Sequence, residues 1–246
     1  MYNFFADEDS RAGDIFTVTG ADCNHIKNVL RMRVGEKILV SEDGKSHLCE
    51  IESIGEGAVT ARIIEENYRE TELPVKIYLF QGLPKSDKLE LIIQKAVELG
   101  VYEIVPVEMH RSVVKLDEKK KESRRARWQA IAESAAKQSK RNTIPLVSDV
   151  LSYKQAMVKA GEMGLFLVPY ENERGMEATK EALAKMELGM SVGVLIGPEG
   201  GFEPKEIALA KEAGGLCVSL GARILRAETA AITATGMCML HAEMNL

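Results

Sequence analysis

A glycine-rich turn in the carboxyl-terminal quarter of the chain contains residue types that favour binding of a small molecule. The apolar run that ends at Ile196 is followed by Gly-Pro-Glu-Gly-Gly at residues 197–201, and a helix-like pattern follows at once. A strand, a glycine turn and a helix form the layout of a nucleotide-binding loop. This turn, however, has Glu199 and lacks the lysine of the phosphate-binding motif G-x-x-x-x-G-K-[ST]. It therefore favours a ligand without a phosphate.

The chemistry of the turn suits an adenosine that bears a positive centre. Glycines let backbone amides and carbonyls come close to a flat ligand, and a carboxylate repels a pyrophosphate but suits ribose hydroxyls or a cation. S-adenosylmethionine, whose sulfonium is attached to adenosine, meets these demands better than ATP or NAD. The turn by itself is explained more simply as a tight strand-to-helix connection with Glu199 in solvent.

A second glycine turn has charged residues in close succession. The stretch SLGARILRAETAAITATG, residues 219–236, follows a predicted strand and holds, within seven residues, Arg223, Arg226, Glu228 and Thr229. The small residues of the helix that follows let backbones approach closely, which favours packing in the core or against a second subunit. The alternative is a charged loop that ends in a helix cap, supplied by Glu228 or Thr229.

From Val75 onward, apolar strands alternate with helical patterns, which predicts an α/β domain with a mostly parallel sheet. In the first of these helices, Asp87 and Glu90 form a capping-box-like pair and Gly100 marks the end. Ligands of such sheets bind beyond the carboxyl ends of the strands. Three strand ends therefore form the predicted site: Pro169–Glu171, Gly197–Gly201 and Leu220–Glu228.

The first 70 residues are instead rich in short strands. A hairpin is predicted with its turn at Asp43-Gly44, and a short helix is predicted to begin at an N-cap, Asp22, and to end at Gly35. The polar segment Asn67–Pro74 separates this strand-rich part of the chain from the part with the α/β pattern. The predicted domains are a small β-rich module at residues 1–72 and the α/β domain at residues 73–246.

The charge of the chain is unevenly distributed. The net charge is −5, yet residues 110–141 contain 11 Lys and Arg against 4 Asp and Glu. A concentrated basic segment on an acidic protein is the electrostatic signature of a nucleic-acid-binding surface, although a solvated helix face explains it about as well. Trp128 within this segment is expected to anchor its helix in the core rather than to stack on a base.

Several classes of protein are disfavoured by the same reading. The four cysteines and four histidines are scattered without a Cys-x-x-Cys pair, so we expect no metal site and a reducing, cytoplasmic environment. No run approaches the roughly 18 apolar residues of a membrane span, and no signal-peptide pattern is visible. We therefore expect no membrane association.

The paired motifs LIGPEGGF and LGARILRAETA resemble the signature of the SPOUT superfamily of knotted methyltransferases, and in particular the bacterial family that methylates N3 of a uridine in 16S ribosomal RNA. Other landmarks in the same order are HIKNVLRMRVGE, KSDKLELIIQKAVELGV, RSVVK and RWQAIAESAAKQSKRNTIP. The resemblance covers nearly the whole chain. It implies an amino-terminal PUA-like β-barrel, an α/β methyltransferase domain with a parallel sheet and a carboxyl-terminal trefoil knot, and a homodimer.

The resemblance also implies a chemistry, namely methyl transfer from S-adenosylmethionine to uridine N3 in 16S ribosomal RNA or the small ribosomal subunit. N3 of uracil attacks well only once its proton is leaving, and negative charge then accumulates on the uracil carbonyls. We expect Arg226 to stabilise those oxygens. We expect Glu228 to orient Arg226 or to accept the proton if burial raises its pKa.

The remaining site residues follow from the matched motifs. The expected cofactor-binding residues are Val168, Pro169, Gly197, Pro198, Glu199, Gly200, Leu220, Gly221, Ile224, Leu225 and Thr229. The expected RNA-binding residues are Arg31, Arg33, Lys85, Arg111, Lys115, Arg124, Arg125, Lys137, Gln138 and Arg141. Their job would be phosphate contact, which fixes register and makes affinity depend on salt.

Three rival functions remain open from the sequence. The same fold supports 2′-O-methylation of ribose, and the site alone does not separate the two reactions. An RNA-binding ribosome-assembly factor without turnover would be expected to have lost a glycine or the Arg226–Glu228 pair, and this chain retains both. A nucleotide-phosphate binder is opposed by Glu199 and by the missing loop lysine.

Overall fold

The computed structural model describes residues 1–85 and 87–246, which form two compact units. The first consists of Met1–Glu72 together with Ala136–Ile144, and the second of Leu73–Ala135 together with Pro145–Leu246. The first unit is therefore built from two separate stretches of chain.

The first unit is a six-stranded, mostly antiparallel sheet with the order β1-β4-β5-β6-β3-β2. Its strands are β1 (Asn3–Phe5), β2 (Arg11–Ala12), β3 (Ile15–Thr19), β4 (Lys37–Glu42), β5 (Lys45–Ile54) and β6 (Ala58–Arg69). Its core contains Phe4, Phe16, Ile38, Ile51 and Val59, all 0–1% exposed. Several strands contribute to this core, since every second side chain of a pleated strand lies on the same face of the sheet.

Two local predictions for this unit have different outcomes. The hairpin is confirmed, because Glu42 pairs with Lys45 across Asp43 and Gly44, whose φ angles of 48° and 77° match the two-residue turn that suits twisted strands. The N-cap prediction is wrong. The helix α1 (Gly20–Asn24) is preceded by Thr19, and it continues as a π-helical segment, His25–Val29. Asp22 instead lies in the first turn, where a negative charge suits the helix dipole.

The second stretch of the first unit is tied to Glu72 by buried polar contacts. The Arg141 guanidinium forms an ion pair with the Glu72 carboxylate, and the Asn142 amide donates to Glu72 Oε1 at 2.9 Å. Asn3 Nδ2 donates to the Arg141 carbonyl at 2.9 Å. Burial is the largest influence on Glu72 and opposes ionisation, but the Arg141 hydrogen bond and charge leave the pKa of Glu72 below its usual value.

The second unit is a parallel sheet with the order β10-β8-β7-β12-β11-β13, and β9 pairs with β8. Its strands are β7 (Lys76–Gly82), β8 (Glu103–Glu108), β9 (Leu146–Val147), β10 (Leu151–Ser152), β11 (Leu165–Pro169), β12 (Ser191–Ile196) and β13 (Leu216–Val218). Its helices are α2 (Lys88–Glu98), α3 (Glu118–Ser139), α4 (Tyr153–Ala160), α5 (Glu177–Leu183), α6 (Pro204–Glu212) and α7 (Ala227–Asn245). The predicted α/β class with a parallel sheet is confirmed.

In the helix α2, the predicted apolar face is confirmed, whereas the predicted capping contacts are not formed. Its predicted apolar face is buried, since Leu89, Ile92, Ile93, Ala96 and Val97 are at most 3% exposed, and the chain turns at Gly100 with φ of 86°. The predicted capping box is wrong in its contacts. Asp87 holds the N-cap position without a side-chain cap bond, and the Glu90 carboxylate binds the Arg127 guanidinium at 2.7 Å.

The helix α7 packs through small residues against α2 and the centre of the sheet. Ala231, Ala234, Cys238 and Ala242 are at most 1% exposed, and a Cβ added to Gly236 would make ordinary van der Waals contact with a Leu99 methyl group, at 3.8 Å. Among the helices of the described residues, none is long and apolar enough to cross a membrane.

Candidate active site

A cavity of about 420 Å³ lies in the second unit, beyond the carboxyl ends of three neighbouring parallel strands. The strands β12, β11 and β13 are adjacent in the sheet, so the segments that follow them meet at the same edge. The cavity is lined by residues of each of the three predicted strand ends, together with Lys88 of α2 and Ala230 of α7. The structure therefore brings together segments more than 45 residues apart in the chain.

The first wall of the cavity is the glycine turn at residues 197–201. The Gly201 amide donates to the Pro198 carbonyl at 2.9 Å, and Gly201 has φ of 68°, which an L side chain rarely adopts. A Cβ on Gly201 would also lie 3.3 Å from a Glu171 carboxylate oxygen. The turn is supported from β7, where a Cβ on Gly82 would lie 2.8 Å from both the Pro198 nitrogen and its Cδ. Glycine is thus required on both sides of the turn.

The negative charge of Glu199 in the glycine turn is balanced by other groups of the protein. Lys88 Nζ lies 3.0 Å from Glu199 Oε1, and the Lys85 amide donates to the same oxygen at 3.1 Å. Burial is the largest influence on this carboxyl and opposes its ionisation, but the hydrogen bonds from Lys88 and from backbone amides lower the pKa of Glu199 overall. The carboxylate is therefore ionised at neutral pH and faces a lysine.

Lys88 also reaches the first turn of α7. Its Nζ lies 3.4 Å from Glu228 Oε2, and that oxygen forms no hydrogen bond with any group in residues 1–85 and 87–246. The Glu228 side chain is only 15% exposed. One ammonium group thus lies between two carboxylates that belong to the two glycine motifs.

The second wall is the segment from Ser219 to Arg226. Its base is fixed, because Ser219 exchanges two hydrogen bonds with Thr179 Oγ1, at 2.8 and 3.0 Å. Gly221 turns the chain with φ of 106°. The tip is exposed, and Ile224 has 92% of its surface in solvent. Arg226 is the N-cap of α7, and in the part of the chain that the structure describes its guanidinium forms no ion pair.

The predicted cofactor residues are placed unequally around the cavity. Those that line it are Pro169, Gly197, Pro198, Glu199, Leu220, Gly221, Ile224 and Leu225, joined by the predicted catalytic Arg226. Three predicted cofactor residues and the predicted catalytic Glu228 do not line it. Val168 is buried in the core, Gly200 lies against Arg111, and Thr229 is exposed on α7. Glu228 forms an ion pair with Lys88, which does line the cavity.

The predicted RNA-binding residues of the first unit are in different environments. Arg31, Arg33 and Gln138 are exposed, and Lys137 Nζ binds the Asp22 carboxylate at 2.9 Å. Arg141 has only 4% of its side chain in solvent, where it pairs with Glu72.

The predicted RNA-binding residues of the second unit are more accessible. Lys85, Arg111 and Lys115 are exposed, and Arg124 and Arg125 are half-buried on α3. Arg125 lies 3.0 Å from Asp149. Trp128 is 2% exposed, which confirms it as a core anchor of α3.

Sequence reasoning assigned no role to several residues that line the cavity. They are Lys88, Glu173, Arg174, Ile196, Phe202, Ser219 and Ala230. Most of them are neighbours of predicted residues, so a wider margin around each motif would have included them. Lys88 is different, because nothing in the sequence marks it as a site residue except its place as the first residue of the helix after β7.

Comparison with known proteins defines the class. A family described as "RNA methyltransferase domain" matches residues 71–239, and one described as "RNA methyltransferase PUA domain" matches residues 18–64. The chain therefore belongs to the RNA methyltransferase family, and it carries both of these domains.

Individual relatives give a finer view. The chain is 40% identical to "Ribosomal RNA small subunit methyltransferase E" of Bacillus subtilis (strain 168), over 93% of this chain and 91% of that protein. It is 33% identical to the protein of the same name from Mycobacterium bovis, over 95% and 89% of the two chains. Its fold is similar to the crystal structure of the Neisseria gonorrhoeae ribosomal RNA small subunit methyltransferase E bound to S-adenosyl methionine, with a TM-score of 0.84, 32% identity, and coverage of 98% and 97%.

Proposed function

We propose that this protein transfers a methyl group from S-adenosylmethionine to N3 of a uridine in 16S ribosomal RNA. The observation that carries the proposal is the cavity between the two glycine motifs, in a chain whose relatives are named for small-subunit ribosomal RNA methylation. The similar Neisseria structure was determined with S-adenosyl methionine bound.

The residues of the cavity fit this cofactor. A volume of about 420 Å³ lies within the usual range of ligand pockets, roughly 300–1,000 Å³. The glycines at 197 and 221 leave backbone groups accessible to a flat adenine, and Glu171 and Glu173 add negative charge at the rim, which suits a cationic ligand. When bound, the cofactor would supply an electrophilic methyl group on a sulfonium.

The protein has two tasks in this reaction, to position the uracil and to manage one proton. Arg226 lies at the edge of the cavity without an ion-pair partner among the described residues, and it would hold the uracil carbonyl on which negative charge develops. Glu228 would accept the N3 proton. Its buried oxygen has an acceptor position unused by the described residues, and Lys88 Nζ lies 3.4 Å from it.

We further propose that RNA is bound by the small domain at residues 1–72 and by the basic segment of the larger domain at residues 73–246. Lys115 is an exposed cation of that segment, and Arg124 and Arg125 are half-buried on α3. We also propose that the enzyme works in the cytoplasm as a homodimer. On α7, Leu240 and Met244 are 50% and 72% exposed, and Leu246 follows at 44%. Together they form an apolar surface that a second copy would cover.

The test is incubation of the purified protein with methyl-labelled S-adenosylmethionine and small ribosomal subunits that lack the modification, followed by nucleoside mass spectrometry. We expect 3-methyluridine, whose fragmentation releases methyluracil. A fragment of methylated ribose would show 2′-O-methylation instead. Absence of label, with Arg226→Ala and wild type equal, would favour a binding protein without turnover.

A further inference from the structure

Arg111 makes two contacts that do not belong to an RNA-binding surface. Its Nε donates to Glu203 Oε1 at 2.7 Å, and its Nη1 donates to the Gly200 carbonyl at 2.9 Å. Arg111 lies in the loop after β8, whereas Gly200 and Glu203 lie between β12 and α6. One guanidinium therefore links the loop after β8, which is two strands away from β12 in the sheet, to the glycine turn that lines the cavity.

The contact is part of a wider attachment between the same two segments. The His110 amide donates to Glu206 Oε1 at 2.9 Å, and Glu206 Oε2 accepts from the Glu203 amide at 2.8 Å as part of the capping box of α6. The fit is close, because a Cβ on Gly200 would lie 2.9 Å from the Arg111 Cβ. The start of α6 and the end of the turn are thus held by adjacent residues, His110 and Arg111.

The charges of the pair support the same arrangement. The hydrogen bond from Arg111 is the main reason why the pKa of Glu203 lies below its usual value, so the carboxylate stays ionised at neutral pH. Hydrogen bonds between ionised partners are about twice as strong as neutral ones. An RNA phosphate that recruited this guanidinium would have to compete with Glu203 and with the Gly200 carbonyl.

We propose that Arg111 is a positioning residue for the cofactor, and that it acts by holding the Gly197–Gly201 turn in its binding conformation. The inference rests on the proposed function, since it assigns this turn to S-adenosylmethionine. Only an arginine suits the task, because its planar fork reaches two acceptors in different directions, whereas a lysine ammonium is a single point of charge.

The matched control is Arg127. Its Nε lies 2.7 Å from a Glu90 carboxylate oxygen, the same distance that separates Arg111 from Glu203. Arg127 lies in the same basic segment and lines no part of the cavity. Arg127→Ala therefore removes an equivalent ion pair and an equivalent positive charge without touching the glycine turn.

The experiment is titration calorimetry with S-adenosylmethionine alone, on the full chain and without RNA. We expect Arg111→Ala to weaken the affinity about tenfold or more, the scale of losing a hydrogen bond that involves a charged group. Arg111→Lys should fall between wild type and Arg111→Ala, and Arg127→Ala should stay within about twofold of wild type. In turnover assays, Arg111→Ala should raise KM for the cofactor more than it lowers kcat.

Thermal unfolding of each variant separates positioning from folding. If Arg111→Ala unfolds, Glu203→Gln takes its place, because it weakens one anchor of the guanidinium and keeps the arginine. Cofactor affinity equal to wild type in a folded Arg111→Ala protein would overturn the inference and leave the proposed function intact. Failure of the wild type itself to bind S-adenosylmethionine would overturn the proposed function and the inference together.

Discussion

The two walls of the cavity are held in opposite ways. The glycine turn at 197–201 is fixed by charged side chains from both flanks, since Lys88 binds Glu199 at 3.0 Å and Arg111 binds the Gly200 carbonyl at 2.9 Å. The opposing segment is held at its base, where Ser219 contacts Thr179. Within the described part of the chain, neither Arg223 nor Arg226 has an ion-pair partner.

This difference indicates a division of labour. A preorganised wall loses little conformational entropy on binding and therefore suits a cofactor that every turnover requires. Unpaired guanidiniums at an exposed wall remain available for a substrate that arrives later and is larger. We therefore expect changes in the fixed wall to alter cofactor affinity, and changes at the two guanidiniums of the open wall, Arg223 and Arg226, to alter RNA-dependent turnover.

The largest effect should come from Arg226 in the open wall. Arg226→Ala should lower kcat by about 10²–10³-fold, because it removes the donor for the charge that develops on the uracil. Its affinity for S-adenosylmethionine, measured by calorimetry, should change little. A variant that lost cofactor affinity in proportion to turnover would contradict the division between the walls.

The next effect should come from Gly82, which supports the fixed wall from β7. In Gly82→Ala the new Cβ would lie 2.6 Å from Met109 Sδ and 2.8 Å from the Pro198 backbone nitrogen. We expect a loss of about 1–3 kcal/mol in the free energy of unfolding, the usual cost of overpacking, together with weaker cofactor binding. Gly57→Ala is the control, since nothing lies within 4 Å of its added Cβ. Equal denaturation midpoints for the two variants would show that the turn shifts freely.

A smaller effect, with a diagnostic sign, is expected from Lys88→Met. In the wild type the pKa of Glu199 is lowered, so its ion pair stabilises the fold at neutral pH and is lost as pH falls through that pKa. Lys88→Met removes the largest of the influences that lower the pKa of Glu199, so the loss of stability as pH falls should be smaller than in the wild type. At pH 7 we expect Lys88→Met to be only slightly less stable than the wild type, because both partners are partly exposed.

Lys88→Arg should keep the wild-type pH dependence, since it keeps the charge. Thermal unfolding of the three proteins at several pH values makes the comparison. Parallel curves for wild type and Lys88→Met would mean that the lysine does not control the carboxylates beside it.

The smallest effect should come from the tip of the open wall. Ile224 is 92% exposed, so Ile224→Ala should change the free energy of unfolding by less than about 0.5 kcal/mol. Phe202, which lines the other side of the cavity and is 8% exposed, should cost about 3–5 kcal/mol as Phe202→Ala. Similar denaturation midpoints for the two variants would contradict the difference in packing between the two walls of the cavity.

The strand ends could be predicted because hydrophobic runs between helical patterns identify parallel strands. In a parallel sheet, ligands bind beyond the carboxyl ends of these strands. The contacts of Lys88 could not be predicted, because its partner Glu199 is 111 residues away in the chain. The basic segment shows the same limit. Composition marked Arg111 and Arg141 as equivalent cations, but one binds the glycine turn and the other is buried against Glu72.

The composition of the first unit has a practical consequence for dissecting this enzyme. Because Ala136–Ile144 completes a unit whose other part ends at Glu72, no single cut in the gene releases it whole. An isolated fragment of residues 1–72 would leave the Glu72 carboxylate without Arg141 and Asn3 Nδ2 without its acceptor. A stable fragment should instead be a chimera in which residues 136–144 are joined behind residue 72 by a designed linker.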